Sequence, residues 1–326
     1  MVTMDDIRAG ADRIAPHVVR TPLLSSPRLD AAVGGRLLLK AECLQTTGSF
    51  KLRGAANAIA QLPCGTPGVV AYSSGNHAQA VAYAARAAGL PAVIVMPADA
   101  PRTKRERTAH WGAEIVAYDR AAQSREAIGE AIAAERGYAL VLPFDHPHTI
   151  AGQGTAGLEA AEQCAAMGAA PDQALICCSG GGLAAGMGTA IRDAFPDCAV
   201  FTVEPERHDD MARSLTAGAP VANDAPPPSV CDALMAPRPG ARTLPILMGL
   251  GARGVTVTDA EAMAGVALAA QELRVVCEPG GAVALAAAMA GRVPTAGRVT
   301  LAVLSGGNAD ADTLRGALNG LVNPFA

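Results

Sequence analysis

Four short stretches hold the residues best able to do chemistry. "TTGSFK" (46–51) sets one lysine, Lys51, behind a Gly-Ser pair and beside Phe50. "SSGNH" (73–77) gathers the hydroxyls of Ser73 and Ser74, the amide of Asn76 and the imidazole of His77. "SGGGL" (179–183) is Ser179, Gly180, Gly181, Gly182 and Leu183, placed between an apolar run and an alanine-rich one. "LSGGN" (304–308) puts Ser305 directly after another apolar run. Consecutive glycines let backbone N–H groups converge on an anion, and a helix N-terminus favours negative charge. "SGGGL" therefore reads as a phosphate cup, with a tight strand-to-helix turn as the alternative. "SSGNH" offers donors suited to a carboxylate, and His77 by itself reads as an ordinary hydrogen-bonded histidine.

Lys51 has three readings: a salt-bridge residue, a phosphate contact or a nucleophile. If Ser49 caps the helix "FKLRGAANAI", Lys51 lies in its first turn. The positive end of the helix dipole and an apolar neighbourhood both disfavour an ammonium there. A neutral amine is what a Schiff-base lysine requires. The competing reading is a solvated first-turn lysine.

These loops need elements to carry them. "RLLLKAE", "GVVAYS", "PAVIVMP", "AEIVAYD", "QALICC", "CAVFTVEPE" and "RVTLAVLSGG" read as strands. "SFKLRGAANAIAQL", "NHAQAVAYAARAAG", "APRTKRERTAHWG", "SREAIGEAIAAERG", "LAAGMGTAIRDAF" and "DAEAMAGVALAAQEL" read as helices. Strands alternating with helices indicate an α/β fold with mostly parallel sheets, and ligands there bind at the carboxyl ends of strands. "NDAPPPSV" reads as an exposed connection, and "DHPH" (145–148) as a loop rather than a metal site.

Composition narrows the field. Half of the 326 residues are hydrophobic and 17% are charged, which suits a buried core and not disorder. A net charge of −4 without a basic run speaks against nucleic acid and anionic membranes as partners. No apolar run reaches the roughly 20 residues that span a bilayer. The N-terminus carries early acids in a helical pattern and does not read as a signal peptide. Eight cysteines without a C-x-x-C pair read as reduced, buried thiols in a cytoplasmic protein. A dinucleotide site competes for "SGGGLAA": Gly180, Gly182 and Ala185 fit G-x-G-x-x-A, and Glu204 lies about 20 residues further on, where a ribose-binding acid belongs. That reading leaves the other three loops unexplained.

As an ordered set, "GSFKLRGA", "SSGNHAQAVAYAA", "IAGQGT", "SGGGLAAG", "CEPGGAVALAA" and "LSGGN" resemble the serine/threonine dehydratase and serine racemase family of pyridoxal-phosphate enzymes. The resemblance runs from "RTPLLSSPRL" to "LSGGN". It implies fold type II, tryptophan synthase β-like: two open, mostly parallel twisted sheets with helices on both faces. It also implies a large cofactor-binding domain, 1–63 and 147–326, and a small substrate-binding domain, 64–146. Lys51 matches the lysine that carries pyridoxal 5'-phosphate, and Phe50 the aromatic packed on its ring. Asn76 matches the contact to the ring hydroxyl, and Ser179 to Leu183 match the phosphate loop, with Ser179 where many relatives have glycine. Ser305 matches the hydroxyl partner of the pyridine nitrogen; being neutral, it should leave that nitrogen largely unprotonated.

Ser73, Ser74, Asn76 and His77 match the loop that binds the substrate carboxylate, with Gln79 as its support. Ser74 also matches the acid–base serine on the ring face opposite the lysine. Arg125 falls where serine racemases hold an arginine near the substrate, the alternative being a solvated helix arginine. "VEPERHDD" resembles the family's divalent-cation site, with the carboxylates of Glu204 and Asp210 and the carbonyl of His208 as ligands for Mg²⁺, Mn²⁺ or Ca²⁺. Two solvated acids are the competing reading. Ala233 stands where racemases have glycine, which agrees better with dehydratases. The chain ends soon after "LSGGN", so the regulatory domain of the biosynthetic threonine enzymes, and isoleucine feedback, are not expected.

The implied reaction is dehydration and deamination of a 3-hydroxy-amino acid to a 2-oxo acid and ammonia. L-serine or L-threonine is the default substrate and a homodimer the expected assembly. Serine racemization, and elimination from 3-hydroxyaspartate, 3-phenylserine or a hydroxyectoine-derived amino acid, remain open on the same scaffold. For 3-hydroxyaspartate, Arg125 or a nearby histidine would have to hold the distal carboxylate. An NAD-dependent oxidoreductase and a catalytically silent ligand-binding relative are the competing functions.

Overall fold

The computed structural model describes residues 2–100 and 102–320, so Pro101 and the end of the expected large domain lie outside the described residues. Among the described residues ten strands form two sheets: β1 Leu23–Leu24, β2 Arg36–Lys40, β3 Val69–Tyr72, β4 Ala92–Pro97, β5 Glu114–Tyr118, β6 Ala139–Leu140, β7 Gln173–Cys177, β8 Ala199–Pro205, β9 Arg253–Val257 and β10 Val299–Val303. The six-stranded sheet has the order β1-β2-β10-β7-β8-β9, and the four-stranded sheet β5-β4-β3-β6. Among the strand pairs of the described residues only β1–β2 is antiparallel. The expected α/β architecture with two mostly parallel sheets is the one observed. Strands such as β4 and β7 are buried along their whole length, as parallel strands covered by helices must be.

Topology assembles the four loops. In the large sheet the segments carrying Lys51, Ser179 and Ser305 follow the carboxyl ends of β2, β7 and β10, which all point the same way. Ser73 follows β3 of the small sheet. The first and last loops are stitched by backbone bonds: Phe50 N donates to Ser305 O at 3.1 Å, and Gly307 N to Gly48 O at 2.8 Å. This stitching corrects one expectation. Ser49 does not cap the helix Lys51–Ile59; Phe50 takes the cap position with helical angles, and the Ser49 hydroxyl is buried without a partner. Ser49 instead forms an isolated antiparallel bridge with Gly306, which holds its backbone away from a capping arrangement.

The longest helix, Pro147–Ala166, is absent from the sequence reading. "IAGQGTAG" contains three glycines, which disfavour a helix in isolation. Packing requires them. A Cβ at Gly152 would lie 2.4 Å from the Arg53 carbonyl, and one at Gly157 2.7 Å from the Met187 backbone. The helix is thus pressed against Lys51–Ile59 on one side and Gly182–Ala194 on another. "DHPH" is correspondingly not a loop: His146 is the cap residue and Pro147 the first helical position, where its fixed φ and missing N–H cost nothing. Asp145 accepts from the backbone N–H groups of Ala241 and Arg242.

A buried ionic network ties these helices to the large sheet. The Arg53 guanidinium, fully buried, donates to both oxygens of Glu42 (2.7 and 2.9 Å) and both of Glu159 (2.8 Å each). Lys40 at the end of β2 adds a second cation on Glu159 at 2.7 Å. Burial alone would push the Glu42 carboxyl up; the charge and bonds of Arg53 outweigh it and hold it below the usual range. Removing one partner from such a group leaves uncompensated charge in the interior. Arg53→Met should therefore lower stability by about 3–5 kcal/mol in chemical denaturation; a loss under about 1 kcal/mol, the range of exposed pairs, would contradict the network's role.

Candidate active site

A cavity of about 230 Å³ opens between the two sheets, and residues of all four loops line it. Lys51, the first residue of its helix, reaches in and donates to the Pro143 carbonyl at 2.9 Å. Its ammonium lies 5.1 Å from the centre of the Phe50 ring. Lys51 is partly exposed to the cavity, yet the surrounding protein desolvates the amine and pushes it down to about 8. No carboxylate among the described residues pairs with it to raise it again. The salt-bridge reading of Lys51 therefore fails.

On the next loop, Gly75 precedes the helix Asn76–Ala87, so Asn76 and His77 occupy its first turn and the loop's donors face the cavity mouth. His77 donates Nε2–H to the Val141 carbonyl at 2.9 Å, which fixes the tautomer because a carbonyl only accepts. Burial, and then the charge of Lys51, push it down to about 3, so the imidazole is neutral at any working pH. This agrees with the ordinary hydrogen-bonded histidine. Asn76 is bonded at both ends of its amide: Nδ2 donates to Glu278 at 2.5 Å and Oδ1 accepts from Asn308 at 2.6 Å.

Ser179, Gly180, Gly181, Gly182 and Leu183 all line the cavity, and Gly181 (φ 92°) caps the helix Gly182–Ala194. The segment after Ala233 clamps this loop: Ala236 N donates to Ser179 Oγ, and Gly240 N and Thr243 Oγ1 donate to Gly180 O. A Cβ at Gly180 would strike the Phe144 ring at 2.3 Å, and one at Gly182 the Gln153 side chain at 2.6 Å. Packing thus requires those glycines independently of any ligand. What fits a phosphate is the helix N-terminus that they bring to the cavity wall.

Ser305 is buried at the cavity's inner end, its N–H on the Gly281 carbonyl. Arg125 stands at the rim as the first residue of the helix Arg125–Arg136. It is held by Glu126 at 2.8 Å, and its guanidinium lies 5.7 Å from the centre of the Tyr72 ring. Ala233 also lines the cavity.

Three charged residues of the lining were not anticipated: Lys104, Asp232 and Glu278. Lys104 pairs with Asp232 across the mouth. They stand 128 positions apart, and only tertiary structure joins them. Glu278 carried a local signal, an acid before Pro-Gly-Gly at the head of an apolar helix, yet its side chain makes no cap bond.

Glu204, His208 and Asp210 gather away from this cavity. Glu204 is buried and accepts from Met211 N and Ala212 N at 3.1 and 2.8 Å. Bound in this way, it cannot reach a ribose, and the dinucleotide reading loses its acid. Asp210 accepts from Asn223 Nδ2 at 2.8 Å, while its other oxygen is buried without a partner. The His208 ring is on the Pro227 carbonyl at 3.0 Å. Burial pushes Glu204 well above the carboxylate range and Asp210 up to about 6. Among the described residues no cluster of three or more His, Cys, Asp or Glu side chains is gathered for a metal.

Comparison with known proteins adds to this geometry. The family described as "Pyridoxal-phosphate dependent enzyme" matches residues 14–306. An L-threo-3-hydroxyaspartate ammonia-lyase of Pseudomonas sp is 38% identical over 97% of this chain and 98% of that protein. A serine racemase of Schizosaccharomyces pombe is 35% identical over 95% of each. The crystal structure of a threonine deaminase from T.th. superimposes with a TM-score of 0.89 at 44% identity, covering 94% of this chain and 99% of that one. The chain belongs to the pyridoxal-phosphate dependent enzymes of fold type II, in the branch of hydroxy-amino acid ammonia-lyases and serine racemases. Its cofactor is pyridoxal phosphate, which overturns the nicotinamide alternative.

The state of Lys51 is open to measurement. In cofactor-free protein, acylation at Lys51 by an amine-selective reagent, followed by peptide mass spectrometry, should rise with pH and level off above about 8. A rise of about tenfold per pH unit continuing to 10, as for a solvated lysine, would contradict its desolvation.

Proposed function

We propose that this member of the family eliminates water from a 3-hydroxy-amino acid bearing a second carboxylate, with 3-hydroxyaspartate as the simplest case. The products are a 2-oxo acid and ammonia. The observation that carries this is Arg125 on the cavity rim, beside the loop suited to the α-carboxylate. The relative named for L-threo-3-hydroxyaspartate supports it. Ser73, Ser74 and the first-turn N–H groups of Asn76 and His77 bind the α-carboxylate, while Arg125 meets the distal one.

Lys51 would hold the cofactor, and its amine is the base that would take the α-proton. Phe50 would lie against the ring, Asn76 would meet the ring hydroxyl, and Ser305 would partner the pyridine nitrogen. Ser179, Gly180, Gly181, Gly182 and Leu183 hold the phosphate at the helix N-terminus. Bound pyridoxal phosphate supplies the electron sink for charge left at Cα. Ser74, which shares the cavity lining with Lys51, is read as the group that would hold or return a proton at Cα, so any racemization would run through it.

A second reading, L-serine or L-threonine, has its own support. Arg125 is held by Glu126 and Lys104 by Asp232, and a substrate with a neutral side chain leaves both pairs intact.

Glu204, Asp210 and the His208 carbonyl are read as the seat of Mg²⁺, Mn²⁺ or Ca²⁺. The unpartnered buried oxygen of Asp210 beside a second buried carboxylate suits a hard cation. A small domain of 64–146 against the rest follows the division into two sheets. Eight unpaired thiols, and no helix among the described residues long and apolar enough to cross a membrane, support a cytoplasmic setting. A homodimer is the proposed assembly, as the resemblance implies.

One panel tests the reading, with ammonia, 2-oxo acid and chiral product followed for each substrate. Turnover of threo-3-hydroxyaspartate should exceed that of L-serine and L-threonine. Arg125→Ala should raise its KM about 10- to 100-fold, the worth of one charged hydrogen bond, and change serine turnover little. Equal losses on both substrates, or a preference for serine in the wild type, would favour the second reading. A melting temperature lowered by chelator and restored by Mg²⁺ is expected from the cation seat; indifference to both would count against it.

A further inference from the structure

Glu278 is a buried acid in the cavity lining that the steps above do not use. It accepts from Asn76 Nδ2 at 2.5 Å. The other end of the same amide is fixed by Asn308, whose Nδ2 also donates to the Thr47 carbonyl and whose Oδ1 accepts from Arg107. A backbone acceptor thus sets Asn308, Asn308 sets Asn76, and the Asn76 N–H pair is left to Glu278 and the cavity. Space around the carboxylate is tight: a Cβ at Gly306 would lie 2.0 Å from Glu278 Oε1 and 3.1 Å from Asn76 Nδ2. The backbone supports the same arrangement, with Glu278 N on the Gly306 carbonyl at 3.0 Å.

We propose that Glu278 is a positioning residue for the bound cofactor: it holds one Asn76 N–H so that the other faces the ring hydroxyl, and its charge state is transmitted through that amide. The inference rests on the reading of Asn76 given under the proposed function. A charged acceptor strengthens the bond to Nδ2, and a carboxylate one amide away disfavours negative charge on the ring oxygen. Several groups face Glu278. Burial raises its carboxyl to about 7 and Asp232, from the turn 232–234, acts in the same sense. The Asn76 bond lowers it, as do Lys104 and Arg107 from the helix Arg102–His110. The Cys277 thiol adjoins it in sequence and stays protonated, its titration pushed well up by burial. Below pH 7 the acid is mostly neutral, and above it mostly charged.

The test is the visible absorption spectrum of protein loaded with pyridoxal phosphate, followed against pH. The wild type should show a step with its midpoint near 7. Glu278→Gln, equal in shape and neutral throughout, should show at every pH the low-pH spectrum of the wild type. Glu278→Asp should keep a step with a displaced midpoint, which serves as the reading if the glutamine variant does not fold. An unchanged step in Glu278→Gln, or an identical midpoint in Glu278→Asp, overturns the proposal. Asn76→Ala separates the two layers. A spectrum altered there but not by Glu278→Gln defeats the role of Glu278 alone. A spectrum altered by neither defeats the placement of Asn76, and the proposal with it.

Discussion

Everything in the site depends on how the helix Lys51–Ile59 is anchored, and the anchor is Arg53. Two residues beyond Lys51, its guanidinium is clamped between Glu42, from the turn after β2, and Glu159, from the longest helix. A guanidinium with two carboxylates is costly to bury unless every donor finds a partner. Here Thr155 Oγ1 and the Val19 carbonyl accept what the carboxylates do not. Such a cluster tolerates little displacement. The helix start is therefore a fixed point, and Lys51 projects from it into a cavity rather than into solvent.

Around that fixed point the chemistry is arranged by keeping charge scarce. His77 is neutral, Lys51 is driven towards neutrality, and the buried Ser305 brings a hydroxyl rather than a carboxylate to the cavity wall. The helices Gly182–Ala194 and Asn76–Ala87 both bring their N-termini to the cavity wall, where partial positive charge suits an anion without a formal cation. Apart from Lys51 and the buried Glu278, the formal charges of the lining are Arg125, Lys104 and Asp232, and these are held in ion pairs. A site built in this way can bind a phosphate and a carboxylate without placing a competing cation beside the reactive amine.

Much of this was legible in the sequence, for local reasons. Seven of the strands and about half of the helices among the described residues follow from apolar runs and alanine-rich periodicity, and strand-to-helix loops announce themselves by small polar residues. The ordered loops named the family. What was not legible depends on distant partners. Arg53 meets Glu159 across 106 positions, and "KLRGA" alone makes it one more helix arginine. The helix Pro147–Ala166 is hidden by glycines that are intelligible only once Arg53 and Met187 are seen against them. Ser49 has the right residue type for a cap, but the bridge to Gly306 overrides the local preference. Glu278 and Lys104 acquire meaning only through Asn76 and Asp232, each contributed by a remote part of the chain.

The central claim is that Lys51 is the residue that carries pyridoxal phosphate. Its most direct test compares the visible absorption of the loaded wild type with that of Lys51→Ala, followed by borohydride reduction and peptide mass analysis. The account predicts a cofactor band in the wild type that Lys51→Ala lacks, and reduced cofactor mass on the peptide containing Lys51. A band retained in Lys51→Ala, or the reduced cofactor found on Lys40 or Lys104, would contradict it.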